Sequence, residues 1–224
     1  MKSNREHVVG KYRARARRYD ITANLYYLLG FREQAYRRKA VQALGLHRGD
    51  TVVEIGCGTG LNFPLIEQSI GPEGRILGVD LTDAMLAQAE RRVHASGWKN
   101  VSLVQADARE FEFSPSPHAI LSTFALSLVP ECGAVIARGS TALFPGGRWV
   151  VLDLKVPEAT PSWLLPVLLP IVEPFAVTRE VVARRPWETI REAMRASLTD
   201  LAWSEVFLGV AFIAAGARGP AHDA

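Results

Sequence analysis

The residues best suited to chemistry lie in one short stretch, where glycines stand at positions 56, 58 and 60 and an acid, Glu54, stands just before them. The run 51–56 begins with β-branched residues and predicts a buried strand, and the segment after Gly60 predicts a helix. A strand that passes through a glycine turn into a helix lets a ligand approach the backbone closely, because no Cβ atoms intervene. The stretch therefore predicts a site for a nucleotide-like ligand.

Two more acids and one aromatic residue follow later apolar runs in the same manner. Further strands are expected over residues 75–80, 101–106, 118–124 and 148–153, and helices over 32–45, after Gly60, from Thr82 to about 96 and over 131–142. Strands separated by helix-length segments predict a parallel sheet, whose carboxyl ends share one edge. Glu54, Asp80, Asp107 and Phe124 all stand near such ends. They are therefore expected to line one crevice.

The composition is that of an ordinary globular protein, with 224 residues, 48% hydrophobic and 22% charged. A chain of this length can bury a large core without disulfides or metals. The two cysteines, Cys57 and Cys132, have no spacing typical of a zinc site or a disulfide framework. We therefore expect no metal, and we expect the protein to lie in a reducing compartment. The start of the chain has no apolar signal core, which favours a cytoplasmic location.

The charge is small, at +3, but it is unevenly distributed. Seven basic residues occupy the first eighteen positions: Lys2, Arg5, Lys11, Arg13, Arg15, Arg17 and Arg18. A basic head on a nearly neutral body predicts an anionic partner, such as a membrane leaflet or nucleic acid, and a solvated chain end is the alternative. No base-flipping motif such as Asn-Pro-Pro-Tyr is present, so nucleic acid is not expected as the substrate.

The acid at 54 followed by Gly-x-Gly-x-Gly resembles the first motif of class I S-adenosylmethionine-dependent methyltransferases. A Rossmann dinucleotide turn is usually Gly-x-Gly-x-x-Gly instead. The resemblance extends over residues 50–154, in the order of the glycine loop, the acids at two strand ends and Pro145-Gly-Gly before the fifth strand. It implies an α/β, Rossmann-like, doubly wound and mostly parallel seven-stranded sheet with N-terminal helices. Residues 199–206 and 209–217 would then form the strand pair with the antiparallel edge strand.

The resemblance also implies the cofactor, S-adenosylmethionine, and the residues that hold it. The glycines would lie beside its methionine tail, Asp80 would accept the ribose hydroxyls, and the Ala108 amide would read the adenine. Taken singly, the glycines could be plain turn residues, and Met85 could be a core residue. The full set of expected cofactor-binding residues is Glu54, Gly56, Cys57, Gly58, Gly60, Asn62, Asp80, Leu81, Met85, Asp107, Ala108 and Phe124.

The segment before the glycine loop narrows the resemblance. Tyr12 and the run Arg17-Arg-Tyr19-Asp20 are similar to the start of ubiquinone/menaquinone-type methyltransferases and of bacterial phospholipid and betaine-lipid N-methyltransferases. The loop 58–65 is closer to the lipid amine group, and Ala125-Leu-Ser127 lacks the asparagine of the quinone enzymes. We therefore expect N-methylation of a phosphatidylethanolamine-type headgroup at a membrane surface. The alternatives are C- or O-methylation of a quinone or another small hydrophobic molecule, a nicotinamide-dependent oxidoreductase, or a non-catalytic nucleotide-binding module.

The acceptor side is expected to come from two further segments. Residues 1–45 would form a helical cap, in which Tyr19 and then Tyr12 are the candidates to orient or deprotonate an amine, and Tyr26 and Tyr27 would contribute an aromatic wall. Within the methyltransferase domain 46–224, residues 156–187 form an apolar, proline-rich insertion that predicts either a lid over the acceptor or a cap on the sheet edge. The basic residues expected to hold a lipid phosphate are Arg179, Arg184 and Arg185, with Trp187 at the headgroup layer. The oligomeric state stays open.

Overall fold

The architecture comes from a computed structural model, which describes residues 32–113, 116–157 and 178–220 together with positions 10 and 160. The strands are β1 Thr51–Ile55, β2 Arg75–Asp80, β3 Val101–Gln105, β4 Ala119–Thr123, β5 Arg148–Leu154, β6 Thr199–Val206 and β7 Ala211–Ala217. The helices, numbered along the described part of the chain, are α1 Glu33–Ala43, α2 Phe63–Ile70, α3 Asp83–Ser96, α4 Cys132–Ala142, α5 Arg179–Arg184 and α6 Pro186–Ser197. A short 3₁₀ helix, Leu126–Leu128, follows β4.

The strands form one seven-stranded sheet in the order β3-β2-β1-β4-β5-β7-β6. The first five strands run parallel, whereas β7 is antiparallel to both β5 and β6. The chain reverses its direction of strand addition between β3 and β4, so the switch point lies between β1 and β4. Ligands in such sheets bind beside the carboxyl ends at the switch point. The predicted fold class is confirmed.

Helices cover both faces of the sheet, which explains why the central strands are almost continuously apolar. One core packs α1, α2 and α3 against the sheet through residues such as Val41, Ile66 and Ala89. The other packs α4 and α6 against the opposite face through residues such as Ile136 and Ile190. The carboxyl edge of the sheet is left open between these two layers.

One residue with an expected surface role lies elsewhere in the structure. Trp187, expected at a lipid headgroup layer, is only 9% exposed and packs in the core beside α4. That expectation is wrong, because Trp187 stands in the first turn of the amphipathic helix α6 and lies on its buried side. His118 accepts a hydrogen bond from the Thr51 amide at its Nδ1, at 3.0 Å, and so joins the beginnings of β1 and β4.

The turn between β6 and β7 lies at the same edge of the sheet as the carboxyl ends of the parallel strands, because the Lys155 amide at the end of β5 donates to the Val210 carbonyl. Three consecutive residues in this turn, Phe207, Leu208 and Gly209, have positive φ angles of 49°, 54° and 79°. The Leu208 side chain is 93% exposed. A leucine in the left-handed region is strained.

Several expectations fall on residues that the structure does not describe. Tyr12, Tyr19, Tyr26 and Tyr27 lie outside the described ranges, as does most of the insertion, residues 158–159 and 161–177. Among the helices in the described ranges, none has the length and apolar character needed to cross a bilayer.

Candidate functional site

The glycine loop leaves β1 with a backbone that only glycine adopts easily. Gly56, Gly58 and Gly60 have φ angles of 70°, 54° and 75°. At Gly56 a Cβ atom would lie 2.2 Å from the Cβ of Ala125, which follows β4. The amides of Gly56 and Cys57 both donate to the Val79 carbonyl, at 2.8 and 3.0 Å. The loop is therefore held close to the ends of both β2 and β4.

Asp80 connects this loop to the helix that follows β2. Its Oδ2 accepts from the Gly58 amide at 2.9 Å, and its Oδ1 accepts from the Thr82 amide at 2.8 Å. Burial raises the pKa of Asp80, and these two hydrogen bonds oppose the rise. Thr82 stands at the N-cap of α3, but its side chain makes no capping bond. The carboxyl group of Asp80 thus holds the glycine loop and the start of α3 together.

Asp107 is held by a residue that was not expected from the sequence. The Arg109 guanidinium donates to both oxygens of Asp107, through Nε at 3.1 Å and Nη2 at 2.8 Å. Arg138 on α4 donates to the carbonyls of Ala108 and Arg109, at 3.0 and 2.7 Å. These bonds fix the segment after β3, so that the Ala108 amide has a defined position.

Phe124 follows β4 in a strained backbone conformation, with a φ angle of 56°. Its amide donates to the Leu152 carbonyl at 2.7 Å, which holds this conformation. The Arg37 guanidinium carbon lies 5.3 Å from the centroid of the Phe124 ring, a distance typical of a cation–π contact. Strained residues of this kind cluster at functional sites because the surrounding structure must hold them there.

These segments enclose a cavity of about 320 Å³ at the carboxyl edge of the sheet. It brings together nine of the twelve residues expected to hold the cofactor, namely Gly56, Cys57, Gly58, Asp80, Leu81, Met85, Asp107, Ala108 and Phe124. Glu54, Gly60 and Asn62 do not line it. The lining also includes Arg37, Arg109, Thr123 and the run Leu128, Val129 and Pro130.

A buried polar network lies behind the glycine loop. The Asn62 amide donates from Nδ2 to Glu54 at 2.6 Å and to the Thr123 hydroxyl at 2.9 Å. Arg37 donates to the same hydroxyl at 2.6 Å and to Asn62 Oδ1 at 3.3 Å. Glu33, one turn earlier on α1, lies 2.7 Å from Arg37 and neutralises its charge. The network joins α1, β1, α2 and β4 at one point.

Glu54 carries the most unusual environment in this network. Its side chain is completely buried, and Oε2 has no hydrogen-bond partner among the described residues. Burial raises the pKa of Glu54 to about 7, although the hydrogen bond from Asn62 and the charge of Arg37 act in the opposite direction. The unused oxygen adds to the cost of ionising this buried group, which agrees with the direction of the pKa shift.

Arg37 and Glu33 were not among the expected site residues, although the sequence holds a signal for them. Both stand on the apolar stripe of α1, at the spacing that places them beside Ala40 and Val41. Two opposite charges at i and i+4 on a buried stripe indicate an internal ion pair. Residue types and spacing are enough to recognise this pattern.

The three arginines expected to hold a phosphate do not line the cavity. Arg184 donates to the Ser127 carbonyl at 3.2 Å, and Arg185 forms an ion pair with Glu188 at 2.6 Å. Arg179 is exposed on α5. Two of the three therefore make contacts within the protein.

Comparison with known proteins shows what the chain that forms this cavity is similar to. Residues 52–147 match a sequence family described as "Methyltransferase domain". This segment of the chain is therefore similar to methyltransferase domains. Curated demethylmenaquinone methyltransferases of Staphylococcus aureus are 26% identical to the chain over 158 residues, which cover 70% of this chain and 64% of the relative. The chain thus matches less than two thirds of the length of these relatives.

Solved structures of methyltransferases share the fold of this chain. Phosphoethanolamine N-methyltransferase 2 of Haemonchus contortus, in complex with phosphomonomethylethanolamine and S-adenosylhomocysteine, is 22% identical, with a TM-score of 0.63 over 76% of this chain and 38% of that chain. Geranyl diphosphate C-methyltransferase of Streptomyces coelicolor A3(2) is 18% identical, with a TM-score of 0.63 over 83% of this chain and 79% of that chain. The comparisons confirm the predicted resemblance to class I methyltransferases, and the solved structures share the fold.

Within the described ranges, His, Cys, Asp and Glu side chains form no group of three or more that could hold a metal ion. Both cysteines are buried thiols, and burial raises the pKa of each. The groups that the cavity offers to a ligand are its backbone cradle, its carboxyl groups and its arginines.

Proposed function

We propose that the protein is an S-adenosylmethionine-dependent methyltransferase that methylates the headgroup amine of a lipid. The observation that carries the first half is the convergence of the glycine loop, Asp80, Asp107 and Phe124 on one cavity. The cofactor supplies a methyl group that is already activated on a sulfonium. The protein then has to bind the cofactor, align the acceptor and exclude water.

Several groups that line the cavity support binding of this cofactor. The cradle at Gly56, where a Cβ would clash with Ala125, gives the close backbone approach that a methionine tail needs. In the proposal, Asp80 at the end of β2 accepts from the ribose diol, and the Ala108 amide donates to an adenine nitrogen. A zwitterionic tail carries a carboxylate, and Arg37, which lines the cavity, supports its binding, whereas Glu54 lies behind the glycine loop and does not line the cavity.

The acceptor half rests on the wall beyond Phe124. Leu128, Val129 and Pro130 give that part of the cavity an apolar lining, which suits an acceptor with a lipophilic body. A lipid amine must arrive unprotonated, and in the proposal Tyr19 or Tyr12 orients it or takes its proton. An aromatic face also favours the positive charge that grows on the nitrogen, and Phe124 offers one at the cavity wall.

A second candidate is C-methylation of a quinone ring, favoured by the demethylmenaquinone methyltransferases among the relatives. The same apolar wall suits a prenylated ring. The sequence Ala125-Leu-Ser127 after β4 lacks the asparagine of the quinone enzymes and argues for the amine. The two candidates differ in the acceptor atom and therefore in the product.

One experiment separates the candidates. Purified protein is incubated with methyl-labelled S-adenosylmethionine and anionic phospholipid vesicles that contain either phosphatidylethanolamine or a demethylmenaquinone. Label and a mass increase of one methyl group in the phosphatidylethanolamine fraction support the proposal, and label in the quinone alone supports the second candidate. Transfer only to soluble amines removes the lipid proposal.

Two controls secure the class. The variant Asp80→Ala should lose transfer to any acceptor, whereas Glu90→Gln, at an exposed position of α3, should not. S-adenosylhomocysteine should raise the melting temperature and NADH should not. A protein stabilised by NADH alone would overturn the methyltransferase assignment.

A further inference from the structure

Ser127, in the 3₁₀ helix after β4, has all of its polar groups engaged. Its amide donates to Asp153 Oδ2 at 2.9 Å, and its hydroxyl donates to Asp153 Oδ1 at 2.7 Å. Its carbonyl accepts from Arg184 Nη2 at 3.2 Å. Ser127 is itself buried and does not line the cavity, but its neighbour Leu128 does. Ser127 is thus held by hydrogen bonds from two sides, beside the apolar wall of the cavity at Leu128–Pro130.

The first grip comes from the sheet. Asp153 stands near the end of β5 with its side chain buried, and it also accepts from the Leu154 amide at 2.8 Å. Its position is fixed by the pairing of β5 with β7, in which Asp153 lies opposite Phe212. Burying a carboxyl group costs free energy unless several donors satisfy it. The donors here come chiefly from Ser127, so the carboxylate determines where the segment after β4 lies.

The second grip comes from α5. Arg184 stands at the end of this short helix, which follows residues 161–177 in the chain. Only one of its nitrogens is used in the bond to Ser127, and Nε is buried without a partner among the described residues. Burying a donor without a partner costs free energy, and an apolar side chain would avoid that cost if this residue served packing alone. The contact therefore connects α5 to the wall of the cavity through a single carbonyl.

We propose that Asp153 and Arg184 are positioning residues for the methyl acceptor. They hold Ser127 in place, and Ser127 in turn fixes the position of the apolar wall Leu128–Pro130, against which the acceptor binds. The inference rests on the proposed methyltransferase function but assigns residues outside the cavity lining. Neither residue lines the cavity that would hold the cofactor. Their effect should therefore appear in acceptor binding and alignment, because a small displacement of a positioning wall lowers the rate strongly. Cofactor affinity should be spared.

The test compares Ser127→Ala, Asp153→Asn and Arg184→Gln with wild type in the vesicle assay. Each variant should raise the KM for the acceptor or lower kcat at least fivefold, and the Kd for S-adenosylhomocysteine should stay within twofold. Arg184→Lys, which keeps a donor, should recover part of the loss. Arg195→Gln, exposed in the last turn of α6, is the matched control and should behave as wild type.

A double variant distinguishes positioning from direct contact with the acceptor. Because Asp153 and Arg184 act on the same residue, Asp153→Asn with Arg184→Gln should lose less than the product of the two single losses. Two results would overturn this inference and leave the proposed function standing. One is a loss of cofactor affinity as large as the loss in acceptor kinetics, and the other is unchanged acceptor kinetics in all variants. Absence of methyl transfer by wild type would overturn the proposed function and this inference with it. Ser127→Ala keeps both backbone bonds, so it remains informative if Asp153→Asn fails to fold.

Discussion

The buried carboxyl group of Glu54 should make the stability of the protein depend on pH in a way that one substitution removes. Burial raises the pKa of Glu54 from its ordinary value of 4.5 to about 7. Between these two values the native protein holds the proton more tightly than the unfolded chain does. The group therefore contributes stability that is fully present below pH 4.5 and is lost as the pH rises through 7.

The size of the effect follows from the shift. One pKa unit corresponds to about 1.4 kcal/mol, so the rise of Glu54 corresponds to about 3 kcal/mol in total. Most of it, about 2–3 kcal/mol, falls between pH 5 and pH 8. In Glu54→Gln the side chain keeps an oxygen for Asn62 but no longer titrates. Other buried acids, Asp80 and Asp153, titrate in both proteins and cancel in the difference.

The assay is urea unfolding of wild type and Glu54→Gln at several pH values from 5 to 8. We expect the stability of the variant relative to wild type to improve by about 2–3 kcal/mol as the pH rises over this range. Glu90→Gln, at an exposed position, should run parallel to wild type. If the Glu54→Gln and wild-type curves are also parallel, Glu54 has an ordinary pKa in the folded protein, and its burial does not shift its titration.

Three further predictions follow from single contacts. Gly56→Ala should lower the free energy of unfolding by more than ~3 kcal/mol and abolish S-adenosylhomocysteine binding in calorimetry, because the new Cβ clashes with Ala125. Gly97→Ala has nearly the same φ but no atom within 4 Å of the new Cβ, so it should lower the free energy of unfolding by only about 1 kcal/mol and bind normally. Arg37→Met should destabilise the protein by about 3–5 kcal/mol in urea unfolding, because it leaves the buried charge of Glu33 unpaired. The double variant with Glu33→Met should recover most of that stability; no recovery would contradict a buried ion pair. Leu208→Asn should stabilise by about 0.5–1 kcal/mol by relieving strain; a loss would contradict the turn geometry.

The elements of the fold were predictable because each depends on a local pattern. The segment 75–80 was expected as a strand and is β2, and the helix expected over 131–142 is α4 at Cys132–Ala142. The cavity residues at strand ends, such as Asp80 and Asp107, were also accessible, because a parallel sheet places all of these ends at one edge.

The polar networks were not predictable in the same way. Ser127 and Asp153 are 26 residues apart and belong to no periodic pattern, so only the register of β4 and β5 brings them together. The arginines at the end of α5 show the same limit of the sequence. Their charge suggested a phosphate site, but the fold directs Arg184 to a carbonyl and Arg185 to Glu188. Composition alone does not tell which partner a charged group reaches.

The position of Arg37 has a consequence for how the site is assembled in time. Among the described residues that line the cavity, Arg37 alone precedes residue 52, and it bonds to Thr123, which is 86 residues further along the chain. During synthesis at roughly 5–20 residues per second, α1 would wait roughly 4–17 s for β4 to emerge. The cofactor cavity is therefore completed late, and binding competence should appear after the secondary structure of the first half of the sheet has formed.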